Sequence, residues 1–406
     1  MNRLNLMNKN MKLSIILILI VLTCNVSLAQ TFQIGHTTIT FVDSSRSNRS
    51  IPTEIYYPAD VAGDNVPVTN AVNDKFPVLS FGHGFVMTWE AYQNIWEAVV
   101  EDGFIMAFPK TETGIAPSHA DFGKDIVFVI EKLNSLDQDS TSLFFNRIDS
   151  MNCVMGHSMG GGAAFLAAQF SPVVKTLATL APAETNPSAI QAATSSIIPS
   201  LIFAGGNDCV TPPATNQLPM YDSLQASCKT YISILGGSHC QMANTNFLCN
   251  IGEATCSPTP TISRAVQHTI INRYLLPWLN FQLKNDCVAG SIFDSTIAAD
   301  SSINFQKTCL LCSSTSSSEI ESNFNFELFP NPFKESLMVR LSQSTNKEFL
   351  VELYSMNGAK LLTRKVHNSI PNERHKLDLP NNLLKGIYLL KVTSDKEIIS
   401  KKIVKE

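Results

Sequence analysis

The stretch that most constrains this chain is Asn152–Ala164, Asn-Cys-Val-Met-Gly-His-Ser-Met-Gly-Gly-Gly-Ala-Ala. It predicts a short apolar strand, a turn pinched between glycines and an alanine-rich helix. At its centre, Gly156-His157-Ser158-Met159-Gly160 has the G-x-S-x-G spacing of a nucleophile elbow. The chain reverses so sharply in such a turn that a Cβ two places either side of the serine would strike the adjoining strand or helix. The turn lifts the Ser158 hydroxyl above the sheet. It also points the Met159 N–H into the same space, at a helix N-terminus that favours negative charge. Serines fall between glycines by chance as well. The strand before this one and the helix after it set it apart from an ordinary glycine-rich turn.

Around the elbow, apolar runs alternate with helical spacing. Thr37–Val42 and Ile51–Tyr57 alternate and predict strands joined by the turn Ser44–Ser50. Pro77–Phe81, Ile105–Phe108, Val174–Leu180, Leu201–Ala204 and Thr230–Leu235 predict further strands, several of them continuously apolar as in a sheet covered on both faces. Trp89–Glu101, Asp121–Leu136 and Ala265–Leu283 carry helical spacing. This order predicts an α/β fold, a mostly parallel sheet wrapped by helices.

Two strands end in glycine-rich loops with a titratable residue at the tip. Leu201–Ala204 leads to Gly205-Gly206-Asn207-Asp208, and Ile234-Leu235 leads to Gly236-Gly237-Ser238-His239. Functional groups of open α/β sheets gather at the carboxyl ends of strands, so Ser158, Asp208 and His239 are expected on one edge. In this reading His239 takes the Ser158 proton, and Asp208 fixes the imidazole tautomer and stabilises the imidazolium. Glu184, after an earlier strand, is the weaker candidate for the acid. The turn Gly82-His83-Gly84-Phe85 follows a buried strand and is the expected source of a second oxyanion donor, the Phe85 N–H beside that of Met159. His83 is expected to bond to the backbone of its own turn.

The chain has 406 residues, 44% of them hydrophobic, which suits two domains, and a formal charge of −4. That charge, with no basic arm or aromatic-basic groove, gives no reason to expect nucleic acid. Arg3, Lys9 and Lys12 precede the apolar run Leu13–Thr23, and Ser27-Leu28-Ala29 offers small residues for cleavage before Gln30. Residues 1–29 thus predict a secretory signal peptide, too short in its apolar part for a comfortable membrane span, and no later stretch is long and apolar enough to span one. Thr23 stands where a lipid-anchored Cys24 would want Gly, Ala or Ser. An exported chain meets oxidising conditions, so most of the nine later cysteines are expected to pair. Cys153, in the elbow strand, is expected to stay free. Cys209 follows Asp208 and Cys240 follows His239, which predicts a Cys209–Cys240 bridge. Cys249–Cys256 is expected to staple the loop Gln241–Thr261. Cys287 is left to Cys309 or Cys312, and Cys228 needs a partner too. Cys309-Leu310-Leu311-Cys312 has redox spacing but no surrounding thioredoxin-like pattern, so it is expected to be structural.

After the first domain (30–312), the Ser-rich stretch 313–325 predicts a linker. From Phe326 short alternating runs follow, at Ser336–Leu341, Phe349–Tyr354, Ala359–Lys365, His375–Leu379, Ile387–Val392 and Ile398–Val404, with Asn357-Gly358 as a hairpin signal. Residues 326–406 thus predict a small all-β sandwich with no constellation of Ser, His and acid.

Two resemblances follow from these motifs. Residues Phe76–Cys309 resemble the α/β-hydrolase family, in particular the secreted cutinase-like polyesterases that include poly(ethylene terephthalate) hydrolases. Gly84-Phe85, Gly156–Gly162, Asn207-Asp208 with Leu218–Ser223, and Gly236–Cys240 carry the likeness. It implies a secreted serine carboxylic-ester hydrolase without metal or organic cofactor, acting on ester or polyester substrates. Its site residues would be Ser158, Asp208 and His239, with Phe85 and Met159 at the oxyanion and Phe85 also a wall of the acyl cleft. The tryptophan of the opposite wall is absent here, where the chain reads Ala181-Pro182-Ala183-Glu184-Thr185-Asn186. Trp89 is a candidate for an aromatic face instead, and the loop after His239 is longer than the family's. A lipase or feruloyl-type esterase would share every catalytic residue. A peptidase or dienelactone-type hydrolase fits less well, and a non-catalytic adhesin on the same scaffold is the reading from another class.

The tail resembles the C-terminal sorting domain of the type IX secretion system of Bacteroidota, through Phe329-Pro330-Asn331-Pro332-Phe333, Gly386–Val392 and the basic end. This implies passage through the outer membrane by that machinery. A generic carbohydrate-binding or adhesion sandwich is the plainer alternative.

Overall fold

Uniformly apolar strands hide their alternation until both sides of a sheet are seen. A computed structural model describes residues 31–70, 75–312, 326–341, 347–355, 360–368, 374–380, 383–393 and 398–406. The predicted signal peptide, the Ser-rich linker and the Asn357-Gly358 turn lie outside the described residues. The chain divides into two compact units, one ending at Ser313 and the other beginning at Ser314.

The first unit is built on a ten-stranded sheet. Its strands are β1 (Gln33–Asp43), β2 (Arg49–Ala59), β3 (Gly63–Asp64), β4 (Phe76–Gly82), β5 (Ile105–Pro109), β6 (Ile148–His157), β7 (Thr176–Leu180), β8 (Ser200–Gly205), β9 (Lys229–Ile234) and β10 (Ile303–Lys307). Their spatial order is β10-β9-β8-β7-β6-β4-β5-β2-β1-β3. The six strands from β9 to β5 in that order run parallel, while β2 and β10 join antiparallel. The helices are α1 (Gln93–Glu101), α2 (His119–Leu136), α3 (Met159–Phe170), α4 (Ala189–Ala193), α5 (Gln217–Ser223), α6 (Phe247–Glu253), α7 (Arg264–Lys284) and α8 (Cys287–Ala299).

Continuously apolar strands serve two cores. Val78, Val154, Ile202 and Ala204 face one cluster with Phe122 and Ile126 of α2 and Ala163 and Phe165 of α3. Leu79, Phe81, Cys153, Met155, Leu201 and Phe203 face the other, with Ile95 of α1 and Tyr274 and Trp278 of α7. The period-two alternation is present, but both faces are dry. The α/β architecture expected from the sequence is thus observed. β10 and α8 are not among the elements that the sequence pattern predicts. Both carry large apolar residues on their outer faces, Phe305 on β10 and Val288 and Ile292 on α8, which blurs the pattern, and Cys228–Cys309 and Cys287–Cys312 bridges tie them down.

The second unit has a three-stranded sheet, β11 (Phe326–Phe329), β12 (Leu337–Leu341) and β15 (Arg374–Leu377). Beside it is a four-stranded one of β13 (Lys347–Ser355), β14 (Lys360–Asn368), β16 (Gly386–Thr393) and β17 (Ile398–Lys405). Phe326 and Val339 of the first sheet share one buried cluster with Val351, Leu353 and Leu390 of the second. All pairings within these sheets are antiparallel.

Candidate active site

Three adjacent or near-adjacent strands, β6, β8 and β9, deliver the predicted residues at their carboxyl ends. Ser158 sits between β6 and α3 with φ 56° and ψ −122°, outside the regions ordinary side chains favour. Packing enforces that turn. A Cβ on Gly160 would lie 2.1 Å from the Gly82 carbonyl oxygen, and one on Gly156 would lie 2.3 Å from that of Gly160. Three glycines in its first turn weaken α3 by roughly 1 kcal/mol each relative to alanine, so tertiary contact holds the helix start in place. The Ser158 carbonyl accepts from Gly162 N at 3.0 Å and Ala183 N at 2.9 Å.

Asp208 and His239 meet directly. His239 Nδ1 lies 2.8 Å from Asp208 Oδ2, and both side chains are almost fully buried. The other carboxylate oxygen accepts from the backbone N–H of Val210 at 2.9 Å and of Thr211 at 2.8 Å. With the Nδ1–H donating to Asp208, Nε2 is left as the acceptor. The two loops also bond through their backbones. Gly206 N donates to Ile234 O and Asn207 N to Gly237 O, each at 2.8 Å. Glu184 instead accepts from Ile190 N at the start of α4.

The ring of His157, next to Ser158, packs against that of His239 with centroids 4.7 Å apart. Burial, and then the neighbouring His239, holds the His157 imidazole well below its ordinary value, so it stands there neutral.

The turn after β4 lies beside the elbow. His83 bonds to its own turn as expected: Nδ1 is 2.9 Å from Gly84 O, and Nε2 is 2.8 Å from Thr111 O. Met87 N also donates to Gly84 O at 3.0 Å. The Gly84 carbonyl shares a planar trans peptide with the Phe85 N–H, so these bonds turn that N–H the opposite way. Phe85 is 46% exposed. Met159 is the first residue of α3, and its N–H is among those a helix start leaves without an internal acceptor.

Three supporting side chains escaped the sequence reading. The Thr211 hydroxyl lies 2.9 Å from Asp208 Oδ2 and 3.0 Å from His239 Nδ1. Gln267 of α7 clasps the peptide before the histidine, accepting from Ser238 N at 2.9 Å and donating to Ser238 O at 2.8 Å. The Tyr92 hydroxyl accepts from Gly84 N at 2.7 Å and lies 3.1 Å from His157 Nδ1. Thr211 and Asp208 are three residues apart, but the contacts of Tyr92 with His157, Thr211 with His239 and Gln267 with Ser238 join residues distant in sequence, so no local motif announces them. Trp89, the candidate aromatic face, has the Lys110 ammonium over its ring at 4.7 Å. Among the described residues no group of three or more His, Cys, Asp or Glu is placed to hold a metal.

Residues 30–257 match the PET hydrolase-like family, more than half of the chain. The chain belongs to that family. It is 26% identical over 234 residues to cutinase 1 of Thermobifida cellulosilytica, covering 57% of this chain and 73% of that one. It is equally similar over 234 residues to a cutinase of Thermobifida fusca (strain YX), covering 64% of it. A bis(hydroxyethyl) terephthalate hydrolase of Streptomyces coelicolor is 28% identical over 158 residues, 35% of this chain and 49% of that one. Residues 327–406 match the secretion system C-terminal sorting domain. This PET hydrolase-like chain is secreted or held at the cell surface, and no helix among the described residues is long and apolar enough to cross a membrane.

The disulfides of this PET hydrolase-like site correct the sequence expectation. Cys209 pairs with Cys256 rather than Cys240, and Cys240 pairs with Cys249, which therefore does not pair with Cys256. The reason is local geometry. Where Asp208 and His239 point at each other, the residues after them point elsewhere, and Cys240 opens a 3₁₀ turn. Both bridges land instead on the segment around α6. The acid and base loops are thus braced through a shared third piece, where Glu253 also accepts from Cys240 N at 3.1 Å. Cys287 takes Cys312, Cys228 takes Cys309, and Cys153 is free and buried. The Cys209–Cys256 bridge spans a sequence separation of 47. The chain-entropy relation values a loop of that length at about 4 kcal/mol. Replacing both cysteines by alanine is expected to lower the guanidinium unfolding midpoint accordingly. A midpoint equal to that of the unaltered oxidised protein would refute the brace.

Proposed function

We propose that this chain is a serine carboxylic-ester hydrolase acting on polyesters, with Ser158, His239 and Asp208 as its triad. The buried Asp208–His239 pair, on the sheet edge that also carries the strained serine, is the observation that carries this reading. Cutinases and a terephthalate-ester hydrolase among its relatives support it.

In this mechanism Ser158 Oγ attacks the ester carbonyl carbon as its proton passes to His239 Nε2. The carbonyl oxygen becomes an oxyanion facing the N–H groups of Phe85 and Met159. One such donor is worth roughly 10²–10³ in rate. Collapse of the tetrahedral intermediate expels the alcohol, which leaves with the proton from His239. Water then gives a proton to His239 and attacks the acyl-Ser158 ester. The carboxylic acid departs and the proton returns to the serine. Asp208 keeps the Nδ1 proton in place and offsets the imidazolium charge. The chemistry is complete without a metal or organic cofactor.

The second reading, hydrolysis of small or lipid esters, is favoured by the lack of an aromatic side chain in Ala181–Asn186. A polyester film and a series of p-nitrophenyl esters of rising chain length separate the two. Soluble products released from the film are expected. An intact film with a preference for long acyl chains would replace polyester by lipid esters. The C-terminal unit, in this proposal, routes the chain through the type IX machinery.

A further inference from the structure

The two N–H groups assigned to the oxyanion come from separate parts of the chain, Phe85 after β4 and Met159 after β6. One hydroxyl touches both parts. Tyr92 Oη accepts from Gly84 N, one residue before Phe85, and bonds to His157 Nδ1, one residue before Ser158. Whichever ring nitrogen of His157 carries the proton, the hydroxyl keeps both contacts. Tyr92 is fully buried, and its ring is held by Phe81 at 4.6 Å and Phe108 at 6.4 Å between centroids. A Cβ on Gly84 would come within 3.2 Å of both Tyr92 Oη and His157 Nδ1, so glycine lets the three close up. His157 in turn packs on His239, whose backbone also lies within hydrogen-bonding reach of the ring. Among the described residues, the bond to Tyr92 is the side-chain hydrogen bond that orients this ring.

We infer that Tyr92 is a positioning residue. Its hydroxyl holds the two halves of the oxyanion site in register and, through His157, sets the plane against which the His239 ring rests. It does so without touching substrate. This rests on the ester-hydrolase reading above, in which Phe85 and Met159 supply the oxyanion donors.

The test is Tyr92→Phe in the full chain, with kinetics on a short soluble p-nitrophenyl ester. Phenylalanine keeps the ring packing and leaves the Gly84 N–H and His157 Nδ1 unpaired. A fall in kcat of about tenfold with KM within about twofold is expected, since misregister weakens transition-state contacts rather than ground-state binding. In a His157→Phe background the same substitution is expected to cost less than about threefold, because the shared bond is already gone. A lower melting temperature with unchanged kcat would overturn the inference. So would a rise in KM alone, or an undiminished loss in the His157→Phe background. If Tyr92→Phe does not fold, His157→Phe alone breaks the same bond, and an unchanged kcat there would also overturn it. Failure of the underlying reading is distinct. It would appear as turnover surviving in Ser158→Ala, whatever Tyr92→Phe does.

Discussion

Ser158→Ala is expected to lower kcat for a soluble p-nitrophenyl ester by about a millionfold, leaving only the rate that an oxyanion site and binding sustain without a nucleophile. The fold should be indifferent to the change. Ser158 holds its place through backbone bonds, from its N–H to Leu180 O and from Gly162 and Ala183 to its carbonyl, and alanine keeps all three. Its strained φ persists because Gly156 and Gly160 close the turn around it, so the variant should melt near the parent temperature. Labelling by a fluorophosphonate should vanish along with turnover. Residual turnover within about a hundredfold of the parent would be too fast for catalysis without a nucleophile. That result would move the nucleophile elsewhere.

Asp208→Asn is expected to cost about 10⁴-fold in kcat with little change in fold. The amide oxygen can keep the bonds from Val210 N and Thr211 N at the Oδ1 position. The amide NH₂ then faces His239 Nδ1, where the carboxylate now accepts. A donor there forces the imidazole to accept at Nδ1 and carry its proton on Nε2, the wrong nitrogen for taking one from serine. Glu184→Gln is the control. Glu184 serves the start of α4 through Ile190 N, so kcat should stay unchanged. Equal losses in the two variants, or a loss only in Glu184→Gln, would reassign the acid.

The elbow was legible because its demands are steric and local: glycines at fixed offsets, a strand before and a helix after. Asp208 and His239 were legible because each ends an apolar strand through a glycine-rich loop, and parallel strands end on the same edge. Pairing of the cysteines was not, because nearness of Asp208 to His239 says nothing about where the next side chain points. Tyr92, Thr211 and Gln267 were hidden for a related reason. Their hydroxyl and amide groups act 65, 28 and 29 residues away along the chain, through contacts that only the closed fold creates. Six of the seven strands described in the C-terminal unit, β12 to β17, were legible from alternation, which survives there because one face of each sheet meets solvent, whereas the four-residue β11 is too short to show it.

Cys153 lies in the central strand under the elbow, wholly enclosed, and burial pushes its thiol well above the ordinary range. Thiolate is the species that attacks a disulfide, so the native fold silences the one sulfhydryl among the described residues able to start an exchange with the four bridges. Heating that parts β6 from its neighbours would release this nucleophile among eight oxidised sulfurs. Thermal inactivation should then become a scrambling reaction, hastened by alkali and slow to reverse, even while every peptide bond stays intact.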